Sequence, residues 1–322
     1  MVVSVAPFSA KSSMPQNHAS LRLGTRGSKL ALVQAEMVRA RLAEKGTACE
    51  IVVVKTSGDR IQDRPLADVG GKGLFTKELE QALLAKDIDL AVHSMKDVPV
   101  ASPEGLAIGA VLEREDPRDA FVSNIAKTLE DLPQRARFGT SSVRRQAQVA
   151  RVRPDLEILL LRGNVDTRLA KLDAGNYDAI LLAQAGLNRL GLAHRATSLL
   201  PLQDWLPALA QGAIGIEIRN TDDATARAIG ALNDPFTEVA LACEREFQAA
   251  LDGSCRSPIA GLAAYTGEHL VFRGEVLAPD GSDYVETGFD IALKDDAVRV
   301  AAEAGRDAGL VLKPRAARWL AL

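Results

Sequence analysis

The stretch RFGTSSVRRQAQVARVRPDLEILLLRGNVDTRLAKLDAG, residues 137–175, carries the pattern from which the fold is read. A short strand in RFGTSS runs into the helix-spaced VRRQAQVARV. A second strand, LEILLL, passes through RGN into VDTRLAKLDAG, and YDAILLA then leads into QAGLNRLGL. Strands alternating with helical segments imply βα units and a largely parallel sheet. Each strand ends in a polar turn at a helix start, where free backbone N–H groups can gather around an anion.

The same alternation precedes this stretch. LRLGT (21–25) reads as a strand, and a helix is expected from Ser28, its N-cap, to about Lys45. CEIVVVK (49–55) and IDLAVH (88–93) read as strands. TKELEQALLAKD (76–87) reads as a helix, with acids early and a lysine late as the helix dipole favours. A long Gly-rich loop lies between Ser57 and Phe75. LAIGAVLE, DAFVS and GAIGIEIR (212–219) are further strands. From about Pro235 a helix, three strands and a final helix from about Asp295 suggest a small α+β domain.

The bulk numbers exclude several classes. The 322 residues suffice for two or three domains. A net charge of −3 with 4% aromatic residues argues against a nucleic-acid binder. No apolar run approaches the ~20 residues needed to span a bilayer. The segment 1–20 lacks a secretory pattern; it reads as a flexible tail, with a short organelle address as the alternative. Cys49, Cys243 and Cys255 form no CxxC pair and the histidines no HxxxH pair, so neither a metal site nor a disulfide framework is expected. Cys49 and Cys243 read as small core residues, whereas Cys255 sits in the turn-like DGSCRSP.

Arginine outnumbers lysine 27 to 12, and eight arginines with no lysine fall between Arg135 and Arg168. The guanidinium fork pairs carboxylates or phosphates in a bidentate way, although solvated helix faces would give the same composition. GTSSVRRQ (139–146) joins three hydroxyls at a helix start to two adjacent arginines, and LRGNVDTRL (161–169) repeats the arrangement with Arg162 and Arg168. Together they point to a ligand with several anionic groups. GTRGS (24–28) could hold an anion through Arg26 and Ser28, or simply cap a helix. GGKGLFTKE (70–78) lacks the phosphate-loop spacing and reads as a loop or lid carrying Lys72. In VHSMKDVP (92–99), Asp97 is either a carboxylate that steadies developing positive charge or half of a surface pair with Lys96. Cys255 beside Arg256 is either an inert loop cysteine or one whose thiolate is favoured by the neighbouring charge.

GGKGLF, VHSMKDVP, GTSSVRRQ, RGNVDTRL and DGSCRSPIA, in this order, resemble the porphobilinogen deaminase (hydroxymethylbilane synthase) family from about Leu21 to the C-terminal region. The resemblance implies an α/β fold with two doubly wound domains like those of periplasmic binding proteins and a small α+β C-terminal domain. The expected boundaries are 21–112 with 212–230, then 113–211, then 231–322. It implies head-to-tail condensation of four porphobilinogen molecules, with loss of ammonia, on a covalent dipyrromethane cofactor. By this resemblance Cys255 carries the cofactor through a thioether and Asp97 is the catalytic aspartate. Arg26, Ser28, Lys96, Thr140, Ser142, Arg144, Arg145, Arg162, Arg168 and Arg189 hold cofactor and chain carboxylates, and Lys72 belongs to the mobile loop. A cytoplasmic monomer with no nucleic-acid or membrane partner is implied. The chain departs from the family pattern at Asp68, Ser254 and Ser257. The rival reading is a non-catalytic binding protein for small dicarboxylates on the same scaffold, which gives Cys255 no task.

Overall fold

The computed structural model describes residues 20–57, 73–253 and 257–320. The chain begins with β1 (Leu21–Arg26), α1 (Lys29–Glu44), β2 (Cys49–Val54), α2 (Lys77–Leu84), β3 (Leu90–Ser94) and β4 (Leu106–Val111). It crosses through residues 112–118 into a second sheet. There it forms β5 (Asp119–Ser123), β6 (Arg137–Thr140), α3 (Val143–Val152), β7 (Glu157–Leu160), α4 (Val165–Asp173), β8 (Ala179–Ala183), α5 (Gln184–Arg189) and β9 (Ser198–Leu199). Residues 200–213 cross back to β10 (Ile214–Arg219) and α6 (Asp223–Gly230). The remainder is α7 (Pro235–Ala250), β11 (Ile259–Tyr265), β12 (His269–Leu277), β13 (Tyr284–Ala292) and α8 (Ala297–Leu320).

Two five-stranded sheets have matching plans. The first has the order β2-β1-β3-β10-β4 and the second β7-β6-β8-β5-β9. In each, three parallel strands meet one antiparallel strand, β10 or β5, which is the strand entered directly from a crossover. The third sheet is the antiparallel β11-β12-β13, covered by α7 and α8. The fold is thus α/β with a small α+β unit at its C-terminal end.

The apolar pattern explains the layers. Ala31, Ala35, Val38 and Leu42 recur at helical spacing on α1 and are buried, and Ala35, Val38 and Leu42 pack with Leu23, Leu90, Val92 and Ile216 of the first sheet. The second sheet is covered on both faces. Phe121, Phe138 and Leu181 pack on one side with Trp205, while Val122, Ile180 and Leu182 pack on the other with Leu169 and Leu187. Cys243, Phe247, Phe272 and Leu312 form the centre of the third unit. Cys49 is only half-buried at the start of β2, against the expectation of a core residue, because its strand lies at the sheet edge.

Boundaries differ from the sequence reading for local reasons. The helix expected over 76–87 ends at Leu84, since Lys86 takes a left-handed φ of 62°. The strand expected over 88–93 begins at Leu90, after Asp89 has accepted bonds from the Arg22 backbone and guanidinium. The short helix α6 and the two-residue strand β9 had no counterpart in the sequence reading. Among the described residues no helix is long and apolar enough to cross a membrane.

Candidate functional site

The strand β3 ends in a single 3-10 turn, Met95–Asp97, which is gripped on both sides. The Met95 N–H donates to the Ala213 carbonyl at 3.0 Å, and its side chain lies over Gly215 of β10. A Cβ at Gly215 would come within 2.1 Å of the Met95 sulfur, so any larger residue there would displace the Met95 side chain. Beyond the turn, the Arg245 guanidinium of α7 donates to the carbonyls of Pro99 and Val100, both at 2.9 Å. Before it, Gln34 of α1 donates to the Ser94 hydroxyl at 2.9 Å. Asp97 therefore stands on a turn fastened to the helices α1 and α7 and the strand β10.

Lys96 turns toward the second sheet, where its Nζ donates to Gln211 Oε1 at 3.2 Å. Burial, the Arg145 and Arg144 charges oppose its ammonium, and Asp97 and Asp119 support it; the balance brings it down to about 8. The paired arginines of α3 also turn inward. Arg144 and Arg145, 4% and 6% exposed, bracket the fully desolvated Asp119 carboxylate at 2.9 and 2.6 Å. Trp205 Nε1 and Gln211 Nε2 donate to the same carboxylate at 3.0 and 2.8 Å. Burial alone would raise Asp119, yet the two guanidinium groups hold it well below the usual carboxylate range. Thr140 accepts from the Ser142 N–H at 3.1 Å, and Ser142 caps α3 by accepting from the Arg145 N–H. These hydroxyls fix the turn that aims the arginines.

Arg168 on α4 donates through Nε to the Gly163 carbonyl at 2.8 Å. Burial pushes it down to about 10, Arg145 and Arg162 add to the effect, and Asp97 opposes it. The Asp97 charge thus supports both a lysine of the first unit and an arginine of the second. Arg26 lies over the Phe75 ring at 4.1 Å, and Ser28 caps α1 by accepting from the Ala31 N–H. Lys29 and Asp166 approach to 3.6 Å from the starts of α1 and α4. Arg189 stands apart, donating to the Gly212 carbonyl at 2.6 Å in the second crossover. The expected residues Lys72 and Cys255 lie outside the described residues, as do Asp68 and Ser254.

Lys96, Arg144, Arg145 and Arg168 interact electrostatically with Asp97 or Asp119, so in this set cations outnumber those two carboxylates. Desolvated cations in excess are satisfied by an anionic ligand. The Nε of Arg144 is buried with no hydrogen-bond partner among the described residues, as is that of Arg189 outside this cluster. A polycarboxylate fits this donor set; an apolar or cationic ligand does not. The sequence reading missed Asp119, Gln211, Arg245 and Gln34. Asp119, the acid opening DAFVS, was the one local signal among them.

Comparison with known proteins extends over most of the chain. The family model described as porphobilinogen deaminase, dipyromethane cofactor binding domain, matches residues 21–227, and that for the porphobilinogen deaminase C-terminal domain matches 239–312. A porphobilinogen deaminase of Nitrobacter hamburgensis is 55% identical over 298 residues, covering 91% of this chain and 93% of the relative. That of Nitrobacter winogradskyi is 53% identical with the same coverage. Among solved structures, a periplasmic substrate-binding protein of an ABC transporter from Coxiella burnetii aligns with a TM-score of 0.43 at 13% identity, over 67% of this chain and 92% of that one.

Proposed function

The chain belongs to the porphobilinogen deaminase family, and from that premise we propose that it condenses four porphobilinogen molecules head to tail into the linear tetrapyrrole hydroxymethylbilane, releasing ammonia. It is a transferase of tetrapyrrole biosynthesis and works on a dipyrromethane primer, for which Cys255 is the attachment residue. A monomer acting in the cytoplasm completes the reading.

The observation that supports this reading is the turn bearing Lys96 and Asp97, joined through Gln211 to the Asp119–Arg144–Arg145 cluster of the second unit. Porphobilinogen brings an acetate and a propionate, so each addition increases the anionic charge by two. Lys96, Arg168 and Arg162 supply charge-assisted hydrogen bonds for such groups, each worth about 1.5–3 kcal/mol. Arg26, Ser28, Thr140, Ser142 and Arg189 complete the binding set. Arg144 and Arg145 contribute mainly through their charge and the Nε of Arg144, which has no partner among the described residues, since Asp119, Gln148 and the carbonyls of Leu206 and Leu181 take up other positions of their forks. Once bound, the dipyrromethane supplies the terminal pyrrole carbon on which the chain grows.

Asp97 serves the reacting substrate. Loss of ammonia leaves a positively charged methylene-pyrrole, and the carboxylate stabilises that charge from a turn that needs no reorganisation. After the new carbon–carbon bond forms, an Asp97 oxygen takes the proton displaced from the pyrrole carbon. General acid–base help of this kind contributes about 10²–10⁴-fold.

The test is the denatured intact mass of the purified protein, followed by peptide mapping around Cys255 and assay of porphobilinogen turnover. A mass excess matching two linked pyrroles on the Cys255 peptide, with turnover, is the expected result. A Cys255 that stays bare after incubation with porphobilinogen and with preformed tetrapyrrole overturns the reading.

A further inference from the structure

Gln211 lies in the second crossover and is 1% exposed. Its Oε1 accepts from Lys96 Nζ at 3.2 Å, and its Nε2 donates to Asp119 Oδ1 and to the Pro117 carbonyl, both at 2.8 Å. Its own carbonyl accepts from Arg114 Nε at 2.9 Å. The side chain thus touches the first sheet unit, the second, and the other crossover. Its amide orientation is decided by these partners, because the flipped form would set a donor against the ammonium and an acceptor against the carboxylate.

The backbone at this point is over-determined. Ala210, immediately before, takes a left-handed φ of 59° and donates its N–H to the buried Glu244 carboxylate. Gly212, immediately after, has φ of 93°, and a Cβ there would meet the Glu115 carbonyl of the other crossover at 2.2 Å. A left-handed non-glycine residue costs free energy and persists where the surroundings require it. Here the surroundings are the Glu244 carboxylate on one side of Gln211 and the close-packed Glu115 carbonyl on the other.

We propose that Gln211 is a positioning residue for the condensation: its amide holds the Lys96 ammonium, next to Asp97, in register with the Asp119–Arg144–Arg145 cluster of the second unit. The assignment rests on the function proposed above. A neutral amide is suited to the place because it accepts from a cation at one end and donates to an anion at the other. Gln148 repeats the device one step further on. Its Oε1 accepts from Arg144 at 2.7 Å while its Nε2 donates to Glu275 of β12 at 2.9 Å. An unbroken polar chain therefore runs from Lys96 in the first unit, through the second, to the third.

The groups facing Lys96 are Asp97 on its own turn, Asp119 from β5 and Arg144 and Arg145 from α3. Replacing the amide changes this field in opposite directions. Gln211→Glu places an anion against the ammonium and raises the Lys96 titration by about one pH unit or more. Gln211→Leu removes the acceptor, adds an apolar neighbour, and lowers it.

The experiment is competitive acetylation of the full purified chain across pH, with labelling of the Lys96 peptide quantified by mass spectrometry, in the wild type and both variants. Opposite displacements of the Lys96 curve are expected, and the alkaline limb of kcat/KM for porphobilinogen should follow them. Superimposable curves, or curves moved the same way by both substitutions, overturn the assignment, since a structural loss alone has no sign that follows charge. Opposite displacements in a protein that does not turn over porphobilinogen would uphold the placement of Lys96 by Gln211 and overturn the proposed function instead.

Discussion

Arg245, on the first helix of the third unit, donates to the carbonyl of Pro99, two residues past Asp97 in the first unit, at 2.9 Å. The carboxylate proposed to react is therefore positioned partly by a helix whose Arg245 lies ten residues before Cys255 in the sequence. Arg245→Leu leaves the carbonyls of Pro99 and Val100 without this donor and loosens the turn. A fall in kcat of about tenfold is expected, for a loss near 1.4 kcal/mol in the transition state. Steady-state kinetics beside a melting curve checks it, and an unchanged kcat in a stably folded variant would exclude the role.

Asp97→Ala should spare the fold, since the turn is held by Met95, Ala213 and Arg245 rather than by this carboxylate. Turnover should drop about 10²–10⁴-fold. The measurement is single-turnover ammonia release by protein whose cofactor loading has been verified by mass.

The Lys96 ammonium titrates at about 8 rather than at the ordinary lysine value of 10.5. A carboxylate-bearing substrate binds the charged form, so kcat/KM should decline as pH rises through that value. Lys96→Arg keeps its charge and should move the decline upward by more than about one pH unit. The effect on stability has the opposite sign. Between about 8 and 10.5 the unfolded chain holds the Lys96 proton and the folded chain does not, so this group makes the fold more stable with rising pH. Urea unfolding at several pH values, compared with Lys96→Met, reads that contribution.

Asp119→Asn should be the most destabilising of these changes. It leaves Arg144 and Arg145 buried without their shared counter-ion, a loss of about 3–5 kcal/mol for a broken buried pair. Because the folded carboxylate is held far below its unfolded value, its contribution is fully present above the ordinary aspartate range. It is lost only as pH falls well into acid. A midpoint shift in urea at neutral pH that shrinks in strong acid is the expected pattern.

The sequence makes the strand–turn–helix units legible, because apolar runs of four to six residues end in hydroxyl and basic residues with capping character, as at Thr140–Ser142. The polar turn that carries Asp97 at the end of β3 was legible for the same reason. The partners of the arginines were not. Asp119 lies 26 positions from Arg145, 86 from Trp205 and 92 from Gln211, and no local pattern announces pairings at such separations. Arg144 and Arg145 read alike as ligand-facing forks, yet a single acid opening a strand draws both inward. Arg245 and Pro99 are separated by 146 positions, so the clamp on the turn belongs to tertiary structure alone.

The insertion of β10 between β3 and β4 has a consequence for biosynthesis. On the ribosome, the chain up to Val111 lacks the strand that fills the middle of its own sheet, and β3 and β4 present open edges. The second sheet is complete in contiguous sequence from Asp119 to Leu199 and can assemble first. By folding it brings residues 112–118 and 200–213 side by side, shortening the loop that β10 must close. The later-finished sheet is the one whose strands emerge first, and its unpaired edges are the part of the nascent chain open to wrong pairing until β10 arrives.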